Sequence, residues 1–91
     1  MAEAAKKVVF SGTVQGVGFR YTSCRIACRY DLRGFVRNVS DGTVEMFLQG
    51  AAGEIEYCME DIKQSFSGYI RNVDIKDVGV DNSLVDFQIT F

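Results

Sequence analysis

The apolar periodicities along this chain predict an α+β fold. The expected architecture is a ferredoxin-like β-α-β-β-α-β sandwich with an added C-terminal strand, two helices lying on one face of the sheet. Three observations carry it. Residues 8–14, 33–39, 43–49 and 69–79 alternate apolar and polar side chains, as strands buried on one side do. Residues from about 20 to 31, and a second stretch from Glu54 to Phe66, repeat their apolar positions at helical spacing. Glycine and Asp-Gly or Asp-Asn-Ser clusters separate these stretches.

In the first strand Val8, Phe10, Gly12 and Val14 share one face, opposite Val9, Ser11 and Thr13. Gly16 and Gly18 then break it. The first helix has an apolar stripe of Ile26, Ala27 and Tyr30. Arg25, Arg29 and Arg33 form a row at i, i+4 and i+8, either a solvated face or a positive field beside an anion site. The second strand is followed by Ser40-Asp41-Gly42, and Asp-Gly accepts the backbone a tight hairpin needs. The returning strand puts Val44, Met46 and Leu48 on one face. Gly50 and Gly53 flank the next break. Ile55, Cys58, Met59, Ile62 and Phe66 follow as a helix, with Glu54 and Glu56 where the helix dipole favours acids, and Gly68 closes it. Val73 and Ile75 then alternate with Asp74 and Lys76. After the turn at Asp81-Asn82-Ser83, the residues Val85, Phe87, Ile89 and Phe91 alternate with Asp86, Gln88 and Thr90 as the added strand.

With 91 residues the chain is expected to form one domain, residues 1–91, since domains run from ~50 to ~250 residues. It is 47% hydrophobic and 24% charged, an ordinary globular balance. No apolar run approaches the ~20 residues of a membrane span, and residues 1–7 lack the apolar stretch of a signal peptide. The expectation is a cytoplasmic protein with no membrane partner. A net charge of −2 argues against nucleic acid as a partner. The chain has no histidine, which removes imidazole catalysis and nearly every zinc enzyme site. Cys24, Cys28 and Cys58 complete no metal set, so no metal or other cofactor is expected. They read as reduced, half-buried thiols, although one disulfide is possible.

The chemistry-bearing segment is Gln15-Gly16-Val17-Gly18-Phe19-Arg20, which joins a strand to a helix. Its glycines allow turns that aim successive N–H groups into one concavity. The helix adds its positive end, and Arg20 adds a planar fork matched to phosphate oxygens. Such a set suits a phosphate-sized anion. A tight turn beside a surface arginine is the plainer reading. The spacing fits neither the dinucleotide fingerprint nor the P-loop. A crossover helix makes the first two strands parallel, so Asn38 ends at the same sheet edge as the Gly loop. With the third strand between them, the separation is about 10 Å, twice the strand spacing. Asn-Val-Ser at 38–40 also matches a glycosylation acceptor, but no secretory signal accompanies it.

Gly12-Thr13-Val14-Gln15-Gly16-Val17-Gly18-Phe19-Arg20 resembles the first signature of the acylphosphatase family. Gly34-Phe35-Val36-Arg37-Asn38 with Asp41-Gly42-Thr43-Val44-Glu45 resembles the second, and Phe87-Gln88-Ile89-Thr90-Phe91 is similar to the family's aromatic-x-Ile-x-aromatic close. The resemblance spans essentially the whole chain. It implies hydrolysis of the carboxyl–phosphate bond of small acyl phosphates, without a metal, by a monomer. Inorganic phosphate and sulfate are then expected as competing anions. It also implies that Arg20 binds the phosphate, that the amides of Gln15, Gly16, Val17, Gly18 and Phe19 cradle it, and that Asn38 positions the attacking water. The family's chain end lies close to that arginine, so the Phe91 carboxylate is expected to grip it. Three departures stand out: Asp31 replaces a helix-ending glycine, Val39 a hydroxyl residue beside the asparagine, and Phe91 a terminal tyrosine. A carboxylate leaving group needs no general acid, which agrees with a histidine-free chain. The rivals are a noncatalytic anion-binding module and an RNA-recognition module. The latter needs exposed aromatics on the central strands, where the open face offers only Val9, Ser11, Thr13 and Phe47.

Overall fold

The computed structural model describes residues 3–91; Met1 and Ala2 of the expected 1–91 unit lie outside the described residues. The elements run β1 (Ala4–Gly12), α1 (Phe19–Arg29), β2 (Arg33–Asn38), β3 (Val44–Gly50), α2 (Ala52–Ser65), β4 (Ile70–Asp77) and β5 (Phe87–Ile89). The sheet order is β4-β1-β3-β2-β5. β3 runs antiparallel to both β1 and β2, so β1 and β2 are parallel and both end at one edge. This is the ferredoxin-like α+β arrangement, with β5 added parallel to β2.

Alternation decides what is buried. Val8 and Phe10 of β1, Val36 of β2, and Val44, Met46 and Leu48 of β3 face the helices and are buried. Ile26 and Ala27 of α1 and Ile55, Cys58, Met59 and Ile62 of α2 close that core. Phe19, the first residue of α1, packs edge-on against Phe10 with ring centroids 4.8 Å apart and against Phe66 at 4.6 Å. The start of α1 is therefore pinned by aromatic packing from below.

The opposite face carries Lys7, Phe35, Arg37, Glu45 and Phe47, with Phe35 stacked on Phe47 at 5.9 Å. Arg37 donates to Glu45 at 2.8 Å and Lys7 approaches it at 3.2 Å. Burial alone would raise the Glu45 carboxyl, but these two cations hold it below the ordinary glutamate value. This face is not wholly open, as alternation alone predicts. Residues 78–86 run across one end of it, where Gln49 both donates to the Asp81 carbonyl and accepts from its amide. That pair satisfies a fully buried Gln49 and covers Ala5.

Three sequence expectations need correction. β1 begins at Ala4 rather than Val8, because cross-strand ion pairs carry its polar half: Lys6 with Asp77 and Lys7 with Glu45. Arg33 does not continue the Arg25–Arg29 row, since α1 ends at Arg29. It sits on β2 and pairs with Glu3. The last strand is short. Val85 is exposed, and only Phe87–Ile89 pair with Gly34–Val36.

α1 ends in a Schellman arrangement. The Leu32 amide donates to the Ala27 carbonyl at 3.2 Å and the Asp31 amide to Cys28 at 3.3 Å. Asp31 takes φ +55° to allow it. A non-glycine residue there carries a left-handed penalty of ~1–2 kcal/mol, partly offset by the unfolded-state freedom a glycine would add. Asp31→Gly is therefore expected to raise the melting temperature by a few degrees, roughly the shift that ~1 kcal/mol gives a domain this size. An unchanged or lower melting temperature would mean that Asp31 relaxes into this conformation at no cost.

Candidate active site

Beyond β1 the chain bends through residues 13–18, and Gly16 and Gly18 adopt φ of +79° and +77°. A Cβ at either position would meet no other atom within 4 Å, so the backbone angle rather than crowding requires glycine. Gly18 is the N-cap of α1, and no side chain caps it. The first-turn amides of Phe19, Arg20 and Tyr21 consequently lack intrahelical acceptors and face outward with the positive end of the helix.

A cleft of about 230 Å³ opens at this end of the sheet. Gly16, Gly18, Phe19 and Arg20 line it from the loop and helix start, and Asn38 from the end of β2. The loop and Asn38 thus share one cavity, with β3 between their strands as the topology requires. Val14, Tyr21, Ile89 and Phe91 complete the wall.

Arg20 is half-buried and, among the described residues, forms no ion pair. The ring of Phe91 lies 4.9 Å from its guanidinium carbon. The expected grip by the Phe91 carboxylate is therefore replaced by a cation–π contact, which leaves the N–H fork free of a competing anion. Asn38 presents the sharpest feature. Its Oδ1 is buried and has no hydrogen-bond partner in the protein. A buried amide oxygen left unpaired costs ~1–3 kcal/mol, so Asn38 carries an uncompensated polar group at the cleft wall.

Two of the expected cradle residues stand differently. Val17 is partly buried and packs against the core, outside the cleft wall. The Gln15 side chain also lies outside that wall. Its Nε2 donates to the carbonyls of Val39 and Thr43, each at 2.8 Å. Gln15 thereby ties the glycine loop to the β2–β3 turn that follows Asn38. Sequence reasoning does not find Tyr21. It signals Ile89 and Phe91 only through the aromatic-x-Ile-x-aromatic close.

No thiol enters the cleft. Cys24 and Cys28 line a separate groove along α1, and burial raises the Cys24 thiol, helped by Cys28 beside it. Burial pushes the Cys58 thiol up to about 12, leaving it a core residue. Among the described residues no three His, Cys, Asp or Glu side chains converge. No helix of the described residues is long and apolar enough to cross a membrane.

The acylphosphatase family model matches residues 6–89. An acylphosphatase of Chlorobaculum tepidum is 37% identical over 90 residues, covering 98% of each chain. One from Ligilactobacillus salivarius is 37% identical over 87 residues, covering 93% of this chain and 96% of that one. The crystal structure of acylphosphatase from Bacillus subtilis superposes with a TM-score of 0.89 at 28% identity, over 97% of this chain and 99% of the other.

Proposed function

We propose a division of labour within this chain, which belongs to the acylphosphatase family and is a hydrolase acting on acyl phosphates: the loop amides and Arg20 hold the phosphoryl group, and Asn38 holds the water that attacks it. The observation that carries this reading is that Asn38, whose side-chain amide has no hydrogen-bond partner for its oxygen among the described residues, lines the same cleft as Arg20 and the glycine loop. A cation with a free fork suits the phosphoryl oxygens. The Asn38 amide at the cleft wall suits a water molecule, and water is the nucleophile that hydrolysis needs.

In the reaction, water attacks phosphorus while the bond from phosphorus to the carboxyl oxygen breaks. The electron pair leaves with the carboxylate, and the water proton passes to a phosphoryl oxygen. An acyl phosphate dianion and water thus become a carboxylate and dihydrogen phosphate, with charge conserved. The transition state is loose and spreads charge over the phosphoryl oxygens, so positioned positive charge does most of the catalysis. In this reading the amides of the 15–19 loop and the Arg20 fork meet that charge, and Gly16, Gly18, Phe19 and Arg20 all line the cleft. Asn38 accepts from or donates to the water and keeps it in line. The carboxylate is already a weak base, so no group in the cleft has to protonate it. The same reading needs no metal, and activity is expected to persist in EDTA.

Hydrolysis of benzoyl phosphate under rising inorganic phosphate tests the proposal. Competitive inhibition is expected, because product and substrate share the cradle. Phosphate should also raise the melting temperature, against chloride at equal ionic strength, since an anion that binds only the folded loop stabilises it by mass action, ~2.7 kcal/mol at a hundredfold excess over Kd. A phosphate-dependent melting shift without turnover would make the site an anion-binding module instead. Turnover abolished by EDTA and restored by Mg²⁺ would remove the metal-free mechanism.

A further inference from the structure

We infer that this cleft also reads the acyl tail, and that Tyr21, Ile89 and Phe91 favour acyl phosphates whose tail is flat and apolar, such as an arylcarbonyl group. The inference rests on the phosphoryl-site reading of Arg20 and Asn38. The acyl group is bonded to the phosphoryl group until the moment of cleavage. With phosphorus held at the loop, the tail must therefore lie in the cleft or at its mouth.

What the wall offers that tail is one-sided. Beyond Arg20 and the Asn38 amide, its described residues offer no charged side chain and no serine or threonine hydroxyl, and the Tyr21 hydroxyl is the other polar side-chain group of the wall. A hydroxylated or charged tail would lose hydrogen bonds to water and find few in exchange. A flat apolar tail gives up none and can pack against rings. Ile89 closes β5, and Phe91 follows two residues later with its ring already over Arg20. Tyr21 is the informative member. It sits one residue past Arg20 in the first turn of α1 and is 66% exposed. Among the described residues its hydroxyl makes no protein hydrogen bond and its ring stacks on no other ring. Packing gives this ring no task, and its position gives it one.

The test compares kcat/KM for benzoyl phosphate and acetyl phosphate in the parent protein, Tyr21→Ala and Tyr21→Phe. Benzoate and acetate differ as leaving groups, so the informative quantity is the change in the benzoyl-to-acetyl ratio between variants, in which that difference cancels. Tyr21→Ala is expected to lower the ratio about fivefold, the size of one aromatic contact. Tyr21→Phe should keep the parent ratio, because the ring remains. The inhibition constant of inorganic phosphate, which has no tail, should follow neither change. An unchanged ratio in Tyr21→Ala would overturn the inference and leave the phosphoryl mechanism standing. Equal losses on both substrates would also overturn it, by showing that Tyr21 acts at the phosphoryl end. A parent protein that turns over neither substrate would bring down the phosphoryl reading itself, and the tail subsite with it.

Discussion

Asn38→Ala is expected to lower kcat by roughly 10²–10³-fold, the usual cost of one positioned hydrogen-bonding group in such a site, while inorganic phosphate still binds. In the proposed mechanism Asn38 touches the water, and its interaction matters when that water begins to bond to phosphorus. Removing it costs the transition state more than the ground state, so kcat falls with little change in phosphate affinity. The fold should not suffer. The Oδ1 of Asn38 has no partner in the protein, so deleting it breaks no internal hydrogen bond. It removes a buried orphan instead, and the melting temperature is expected to hold or rise. A variant that is more stable and nearly inactive is the signature of a group kept for its chemistry. Turnover, phosphate inhibition and thermal melting on one preparation check all three. Near-normal turnover in folded Asn38→Ala would overturn the role of the residue.

Much of the fold can be read from periodicity because the central strands bury one face and expose the other. Val44, Met46 and Leu48 alternate with Glu45, Phe47 and Gln49, and the buried set is the apolar one except at Gln49. Periodicity fails where a strand is held by something other than apolar burial. Lys6 and Lys7 lie in β1 because acids on β4 and β3 stand opposite them, and no local pattern contains Asp77 or Glu45. Val85 has a strand-like neighbourhood in sequence, but no backbone partner reaches it.

The site divides in the same way. Gly16, Gly18 and Arg20 are legible because a positive φ and a planar cationic fork each call for one residue type. The bracing by Gln15 is not, since its acceptors lie 24 and 28 residues along the chain. The isolation of the Asn38 oxygen is a property of its surroundings, and residue identity carries no trace of it. Tyr21 looks like any surface tyrosine until the cleft wall is drawn.

Arg20→Ala should fail differently from Asn38→Ala. In the proposed mechanism Arg20 meets the phosphoryl oxygens in the bound substrate, in the transition state and in the phosphate product. Its removal should weaken inhibition by phosphate by ~10–10²-fold, the worth of a charge-assisted hydrogen bond, and cut turnover by on the order of 10³ or more, as when an arginine leaves a phosphoryl-transfer site. Arg20→Lys keeps the charge but neither the planar fork nor the stack on Phe91, and should fall between the two. Folding is expected to survive. Arg20 pairs with no carboxylate among the described residues, and its stacking on the Phe91 ring is worth only ~0.5–1 kcal/mol at an exposed site. The two alanine variants together separate the roles: one should lose binding and rate, the other rate alone. Phosphate inhibition that persists in folded Arg20→Ala would leave the loop amides as the whole cradle. Equal loss of phosphate binding in both variants would make Asn38 a second phosphoryl ligand, and the attacking water would then have to be held by some other group in the cleft.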